Sequence, residues 1–269
     1  MKGNWIQGLM AASALSGLIW LGGLGWTLQD YFAGAPDTAG TSIPAAAEET
    51  PALAVDDGKF RVVALGDSIT RGAGDPDGKG YVGYMVEALK TKAKDQEILV
   101  KNYGINGMRT PDLAASLTEP AVRSELKAAD VIVVSVGGND LFRGGETLGN
   151  LNPDNIASIQ EAYLVDLDGV LKDLRGVNPS AKLFLIGLYN PFIAMKDTKT
   201  TTKIVRDWNY QAAETAAVYP DTVLVPTLDL FQLQVQDYLA RDQFHPNAEG
   251  YRLIGERVAS LITWKEESE

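Results

Sequence analysis

His245 is the only histidine of the chain, and there is no cysteine. An imidazole is the side chain best suited to take and return a proton near neutral pH, so any such step has one candidate here. Thiolate nucleophiles, disulfides, zinc–thiolate sites and multi-histidine metal sites are excluded. Asp242 stands three residues before His245 in "DQFHPN", and Ser68 closes an apolar run in "RVVALGDSIT". A hydroxyl, an imidazole and a carboxylate are the parts of acyl transfer. Ser68 would attack, His245 would take its proton, and Asp242 would accept the second ring N–H and fix the tautomer. The oxyanion that develops needs hydrogen-bond donors. Candidates are the N–H of Ser68, the N–H of Gly104, where a missing side chain admits close approach, and the neutral side-chain amide of Asn139.

Each of these residues also has a plain structural reading. Gly66-Asp67-Ser68 and Gly137-Gly138-Asn139-Asp140 can be simple turns, Gly104 and Gly107 turn glycines, Asp242 a cap, and His245 a polar residue before a helix. Their placement favours chemistry. Five apolar, β-branched runs read as buried strands: Phe60–Leu65, Ile98–Asn102, Val131–Val136, Leu183–Leu188 and Val223–Val225. Helical periodicity falls between them. Tyr81–Lys94 carries Val82, Met85, Val86 and Leu89 on one face, Ile156–Leu174 carries Ile159, Tyr163, Leu167, Val170 and Leu171, and Ile204–Val218 is weaker. Asn247 can cap a last helix with Tyr251, Ile254, Val258 and Leu261 inward. Apolar strands alternating with helices predict an α/β fold, a three-layer α/β/α sandwich around a five-stranded, mostly parallel sheet. Sites in such sheets form at the carboxyl ends of the strands. Ser68, Gly104 and Asn139 recur at intervals of roughly 35 residues, about one strand–helix–strand unit, which predicts that they meet along one sheet edge.

The set resembles the SGNH hydrolases, also called the GDSL esterase/lipase family. That family's blocks carry Ser in Gly-Asp-Ser, a Gly, Gly-x-Asn-Asp and Asp-x-x-His. Here they correspond to Gly66-Asp67-Ser68, Gly104, Gly137-Gly138-Asn139-Asp140 and Asp242-Gln243-Phe244-His245, in order over most of the domain. Ile69 departs from the name-giving motif, which has Leu there. The resemblance implies a flavodoxin-like sandwich, metal-free ester hydrolysis without a cofactor, catalysis by Ser68, His245 and Asp242, and an oxyanion hole of Ser68, Gly104 and Asn139.

The rest of the chain bears on substrate and place. Trp5–Leu28 contains no charge. As a helix it would span roughly 36 Å at 1.5 Å per residue, against a hydrocarbon core of about 30 Å. Residues 1–32 therefore read as a transmembrane anchor, or as a signal segment if Ala33-Gly34-Ala35 is cleaved; Pro36 and the length of the apolar run favour the anchor. Lys2 before the run and Asp30 and Asp37 after it put the domain on the extracytoplasmic side of a single-pass membrane protein, or make it secreted if the segment is removed. Residues 33–58, rich in Ala, Thr, Pro, Gly and acids, read as a disordered linker, 59–264 as the hydrolase domain and 265–269 as a tail. A net charge of −11 argues against nucleic acid as a partner. Leu141, Phe142 and Phe192, in loops after the third and fourth strands, can line an acyl pocket or pack beneath those loops. The expected substrate is a small-molecule or lipid ester, with acyl lipids or lysophospholipids first and acetyl groups on extracellular or cell-wall glycans as the alternative. A surface glycan-binding module without catalysis is the rival of another class. No GxGxxG or GxxxxGKS motif follows the first strand, which weakens a nucleotide-binding reading.

Overall fold

A computed structural model of the chain describes residues 57–93, 96–193 and 198–263. The anchor expected over 1–32, nearly all of the linker expected over 33–58 and the tail at 265–269 lie outside the described residues, as do Lys94 and Trp264. No described helix is long and apolar enough to cross a membrane.

In chain order the elements are β1 (Lys59–Gly66), α1 (Ser68–Arg71), α2 (Gly80–Lys92), β2 (Glu97–Gly104), α3 (Thr110–Ser116), α4 (Pro120–Lys127), β3 (Val131–Ser135) and α5 (Gly138–Phe142). A 3-10 segment, Arg143–Gly149, follows. Then come α6 (Pro153–Val177), β4 (Lys182–Ile186), α7 (Thr198–Ala217), β5 (Thr222–Val225), α8 (Leu228–Phe231), α9 (Val235–Tyr238) and α10 (Ala248–Leu261). The five strands form one sheet in the order β2-β1-β3-β4-β5, and every pairing is parallel. The chain runs outward from β1 to β2, then returns to place β3 on the other side of β1. That reversal opens a crevice at the carboxyl ends of β1 and β3, where ligands of doubly wound sheets bind.

The two faces of the sheet carry separate cores. Val63 and Leu65 of β1 join Leu113, Leu126, Leu167, Leu171, Val205 and Trp208 on the face covered by α3, α4, α6 and α7. Val62 and Ala64 join Tyr81, Met85, Leu89, Tyr251, Ile254 and Val258 on the face covered by α2 and α10. Successive strand residues point to opposite faces, so an unbroken apolar run feeds both cores.

Three expectations need correction. β2 and β5 are sheet edges, not buried strands: most of β2 is half-buried or exposed, and Val223 of β5 is 46% exposed. Leu261, expected inward on the last helix, is 39% exposed, while Tyr251, Ile254 and Val258 are buried. The fourth strand ends at Ile186, so Gly187 and Leu188 belong to the loop beyond it. α3 and α4 add to the helices expected from periodicity. Their signals are a proline at the start of each helix and the apolar pairs Leu113/Leu117 and Val122/Leu126 four residues apart.

Candidate active site

Asp67 directs the turn out of β1. Its side chain accepts the Ile69 N–H at 2.9 Å and caps α1, while its own N–H is donated to Ser135 O at 3.0 Å, at the end of β3. Ser68 is therefore the first residue of a one-turn helix at the crevice. Its N–H enters none of the hydrogen bonds among the described residues.

His245 arrives from the opposite end of the chain on a tight loop. Ala240 N–H donates to His245 O at 2.8 Å, Asn247 N–H donates to Tyr238 O at 2.9 Å, and Tyr189 OH donates to Phe244 O at 2.6 Å. Within the loop, Asp242 Oδ1 accepts the N–H groups of Phe244 and His245, both at 3.0 Å. Asp242 Oδ2 lies 2.6 Å from His245 Nδ1, and His245 Nε2 lies 2.9 Å from Ser68 Oγ. An ionised carboxylate only accepts, so Nδ1 carries the proton and Nε2 is left to accept the serine's. Partial burial pushes the Asp242 pKa up, but the bonds from His245 and from the Phe244 and His245 N–H groups outweigh it and hold the carboxyl below its ordinary value. Asp242 thus stays ionised beside the ring.

Asn139 lies in the first turn of α5 and lines the same cleft as Ser68. One of its amide hydrogens goes to Met108 O at 3.0 Å, which leaves the second for a ligand. Gly104 does not match its expected role. Its N–H is donated to Asn102 Oδ1 at 2.9 Å, and Asn102 Nδ2 in turn reaches Thr70 O at 2.8 Å. A Cβ on Gly104 would lie 2.3 Å from Arg71 N and 2.7 Å from Thr70 C. The missing side chain serves contact between the end of β2 and the backbone of α1. Gly107, read as a turn glycine, keeps its N–H unbonded among the described residues. It adopts φ +77 with open space around it and precedes the Met108 that binds Asn139.

The cleft measures about 520 Å³ with its solvent-open mouth included; Ser68, Asn139, Phe142, Leu188, Pro191 and Phe244 line it. Phe142 and Phe192 meet edge to face with centroids 4.9 Å apart, and Phe244 closes the group at 6.3 and 6.0 Å. The Phe244 ring also stands edge-on to His245 at 5.1 Å. Phe142 is therefore a wall of the cleft and Phe192 its backing. Leu141 is neither, because its side chain is buried in the core beneath α5. Phe244 was not foreseen; its only sequence signal is an aromatic residue between Asp242 and His245.

Behind Ser68 lies a buried polar chain. Ser135 Oγ–H donates to Asp67 Oδ1 at 2.7 Å, Thr70 Oγ1 lies 2.7 Å from Ser135 Oγ, and Tyr81 OH lies 2.9 Å from Thr70 Oγ1. Burial pushes the Asp67 carboxyl up to about 6 against the opposing bonds from Ser135 and Ile69.

The parallel sheet, the crevice beside β1 and the Ser68–His245–Asp242 chain define the class: a hydrolase of carboxylic esters. Residues 64–253 match the model of the GDSL-like lipase/acylhydrolase family, and the chain belongs to that family. It is 32% identical to the uncharacterized protein YpmR of Bacillus subtilis, over 75% of this chain and 80% of that one. The spore germination lipase LipC of Bacillus licheniformis is 26% identical over 74% of this chain and 94% of its own. Among solved structures, the lipase Lip_vut3 from a goat rumen metagenome superposes with a TM-score of 0.68 at 24% identity, over 75% of this chain and 97% of that one. A mutant of Axe2, an acetylxylan esterase from Geobacillus stearothermophilus, gives 0.59 at 20%, over 76% and 94%. At these identities the two structures speak for the fold.

Proposed function

We propose that the protein hydrolyses acyl lipid esters through an acyl-enzyme on Ser68. The observation that carries this reading is the unbroken chain from Asp242 through His245 to Ser68 Oγ, with contacts of 2.6 and 2.9 Å. Ser68 Oγ attacks the ester carbonyl carbon as its proton passes to His245 Nε2. The carbonyl oxygen becomes an oxyanion beside the N–H groups of Ser68 and Gly107 and the free Asn139 amide hydrogen. The tetrahedral adduct expels the alcohol, which takes the proton from His245. Water then attacks the acyl-enzyme by the same route, and the acid leaves. Gly107 takes the donor role expected of Gly104, because the Gly104 N–H already has a partner.

Phe142, Phe244, Leu188 and Pro191 offer the acyl group an apolar wall, which supports a lipid ester over a polar one. LipC, named as a lipase and matched over nearly its whole length, supports the same substrate class. An anchor over residues 1–32, with the domain on the extracytoplasmic side, would hold the site close to such substrates.

The test is hydrolysis of nitrophenyl esters of two to sixteen carbons by the wild type and Ser68→Ala, with fluorophosphonate labelling of both. Activity and labelling that depend on Ser68, with a preference for chains longer than acetyl, are expected. Activity that survives Ser68→Ala refutes the mechanism; a preference for acetate refutes the substrate class alone.

A further inference from the structure

The two donors proposed outside α1, Gly107 and Asn139, follow β2 and β3, which are not neighbours. β1 lies between them, so no ladder of backbone hydrogen bonds sets their separation. The loop after β2 is tied at its start to β1, through Ile105 N–H donated to Gly66 O at 2.9 Å. Its far end is tied by Asp140, the residue after Asn139. The Asp140 carboxylate is 8% exposed and accepts the Thr110 N–H at 3.2 Å on each oxygen. It also accepts the Thr110 hydroxyl at 3.1 Å. Thr110 is fully buried at the start of α3. Between these ties runs Gly107-Met108, with Met108 O accepting Asn139 Nδ2 at 3.0 Å.

We propose that Asp140 is a positioning residue: through Thr110 it holds the Gly107 loop at the distance from Asn139 at which both donors reach one oxyanion. The inference rests on the acyl-transfer reading above. Among the described residues the Asp140 carboxylate bonds to Thr110, not to Ser68 or His245, and its effect passes through the placement of two other groups. Small displacements of preorganised donors are costly, up to about 10²-fold in rate for a shift near 1 Å. Burial pushes the Asp140 pKa up, so the group bears a cost of its own, opposed by the Thr110 N–H and hydroxyl.

The experiment uses the full chain, nitrophenyl acetate as substrate and phenylboronic acid as a tetrahedral mimic on Ser68. Asp140→Ala is expected to lower kcat about 10–100-fold with KM nearly unchanged, and to weaken phenylboronic acid by a similar factor. Asp140→Asn should recover most of the loss, because its Oδ1 can accept the Thr110 N–H while its Nδ2 donates to the hydroxyl. In an Asn139→Ala background, Asp140→Ala should cost less than about threefold more, since the donors no longer act as a pair. Unchanged kcat in folded Asp140→Ala, or a full additive loss in that background, overturns the proposal. If Asp140→Ala does not fold, Thr110→Val decides: it keeps the backbone N–H and loses the hydroxyl. A severalfold kcat loss at unchanged KM supports the clamp, and wild-type kcat overturns it. A wild type without Ser68-dependent hydrolysis removes the acyl-transfer reading, and the clamp with it.

Discussion

Asp67 and Asp242 are two carboxylates of the same site whose surroundings push them in opposite directions. Asp242 keeps its charge through three N–H donors. Asn at 242 would present N–H groups to His245 Nδ1, favour the other tautomer and turn Nε2 from acceptor to donor. Asp242→Asn should therefore lower kcat on nitrophenyl acetate by on the order of 10⁴-fold while the protein stays folded. A loss of less than tenfold would make Asp242 a loop cap only. Asp67 is buried, and its carboxyl rises from 3.8 to about 6. Between those values the folded protein holds a proton that the unfolded chain has released. Stability therefore falls as pH rises across that window and levels off above it. At 1.36 kcal/mol per unit the effect is about 3 kcal/mol. Asp67→Asn keeps an oxygen for Ser135 and Ile69 and removes the titration. Urea unfolding from pH 4 to 6.5 should show a steeper stability decline in the wild type than in the variant. Equal slopes would mean that this carboxyl binds its proton alike in both states.

At the scale of elements, the end of β2 must lie against the backbone of α1, and Gly104 provides the room. Gly104→Ala sets a Cβ against Arg71 N and Thr70 C, both main-chain atoms that cannot swing aside. Either β2 or the helix bearing Ser68 must shift, at a cost of about 1–3 kcal/mol. Gly107→Ala meets no atom within 4 Å and bears only the strain of its positive φ, about 1 kcal/mol. Urea midpoints should rank wild type, Gly107→Ala, then Gly104→Ala, and the reverse order for the two variants would show that β2 and α1 have slack between them. These two glycines mark where the sequence stops being legible. Continuous apolar runs revealed the central strands β1, β3 and β4, and polar clusters at strand ends pointed to Ser68 and Asn139, which line one cleft. A run of apolar residues looks the same at a sheet edge, so β2 and β5 read as buried. Which glycine keeps a free N–H depends on the Asn102 side chain folding back on Gly104, and that contact leaves no mark in residue spacing. Phe142 and Phe192 were legible as apolar residues in loops after strands, but Phe244 was hidden for a related reason: its loop comes from a distant part of the chain.

Over the whole molecule, the Ser68 hydroxyl and the His245 imidazole sit on segments 177 residues apart and on different structural supports. Ser68 depends on β1 and its neighbours. His245 depends on its loop, on Tyr189 beyond β4 and on α10, which Asn247 caps through a bond from Gly250 N–H at 3.0 Å. α10 packs on α2 over one face of the sheet, where Met85, Tyr251, Ile254 and Val258 are buried together. The 2.9 Å contact can therefore persist only while that helical layer stays docked on the sheet. Met85 is fully buried in α2 and belongs to neither the cleft nor the catalytic chain. Met85→Ala should destabilise the fold by about 2–5 kcal/mol through lost burial and the cavity left behind. In buffer, the folded variant should keep wild-type kcat. In urea, its loss of esterase activity and its loss of far-ultraviolet circular dichroism should move to lower concentration together. If activity disappears well before the dichroism in both proteins, the His245 loop opens independently of the sheet, and the base is held by its own hydrogen bonds instead of by the docked layer.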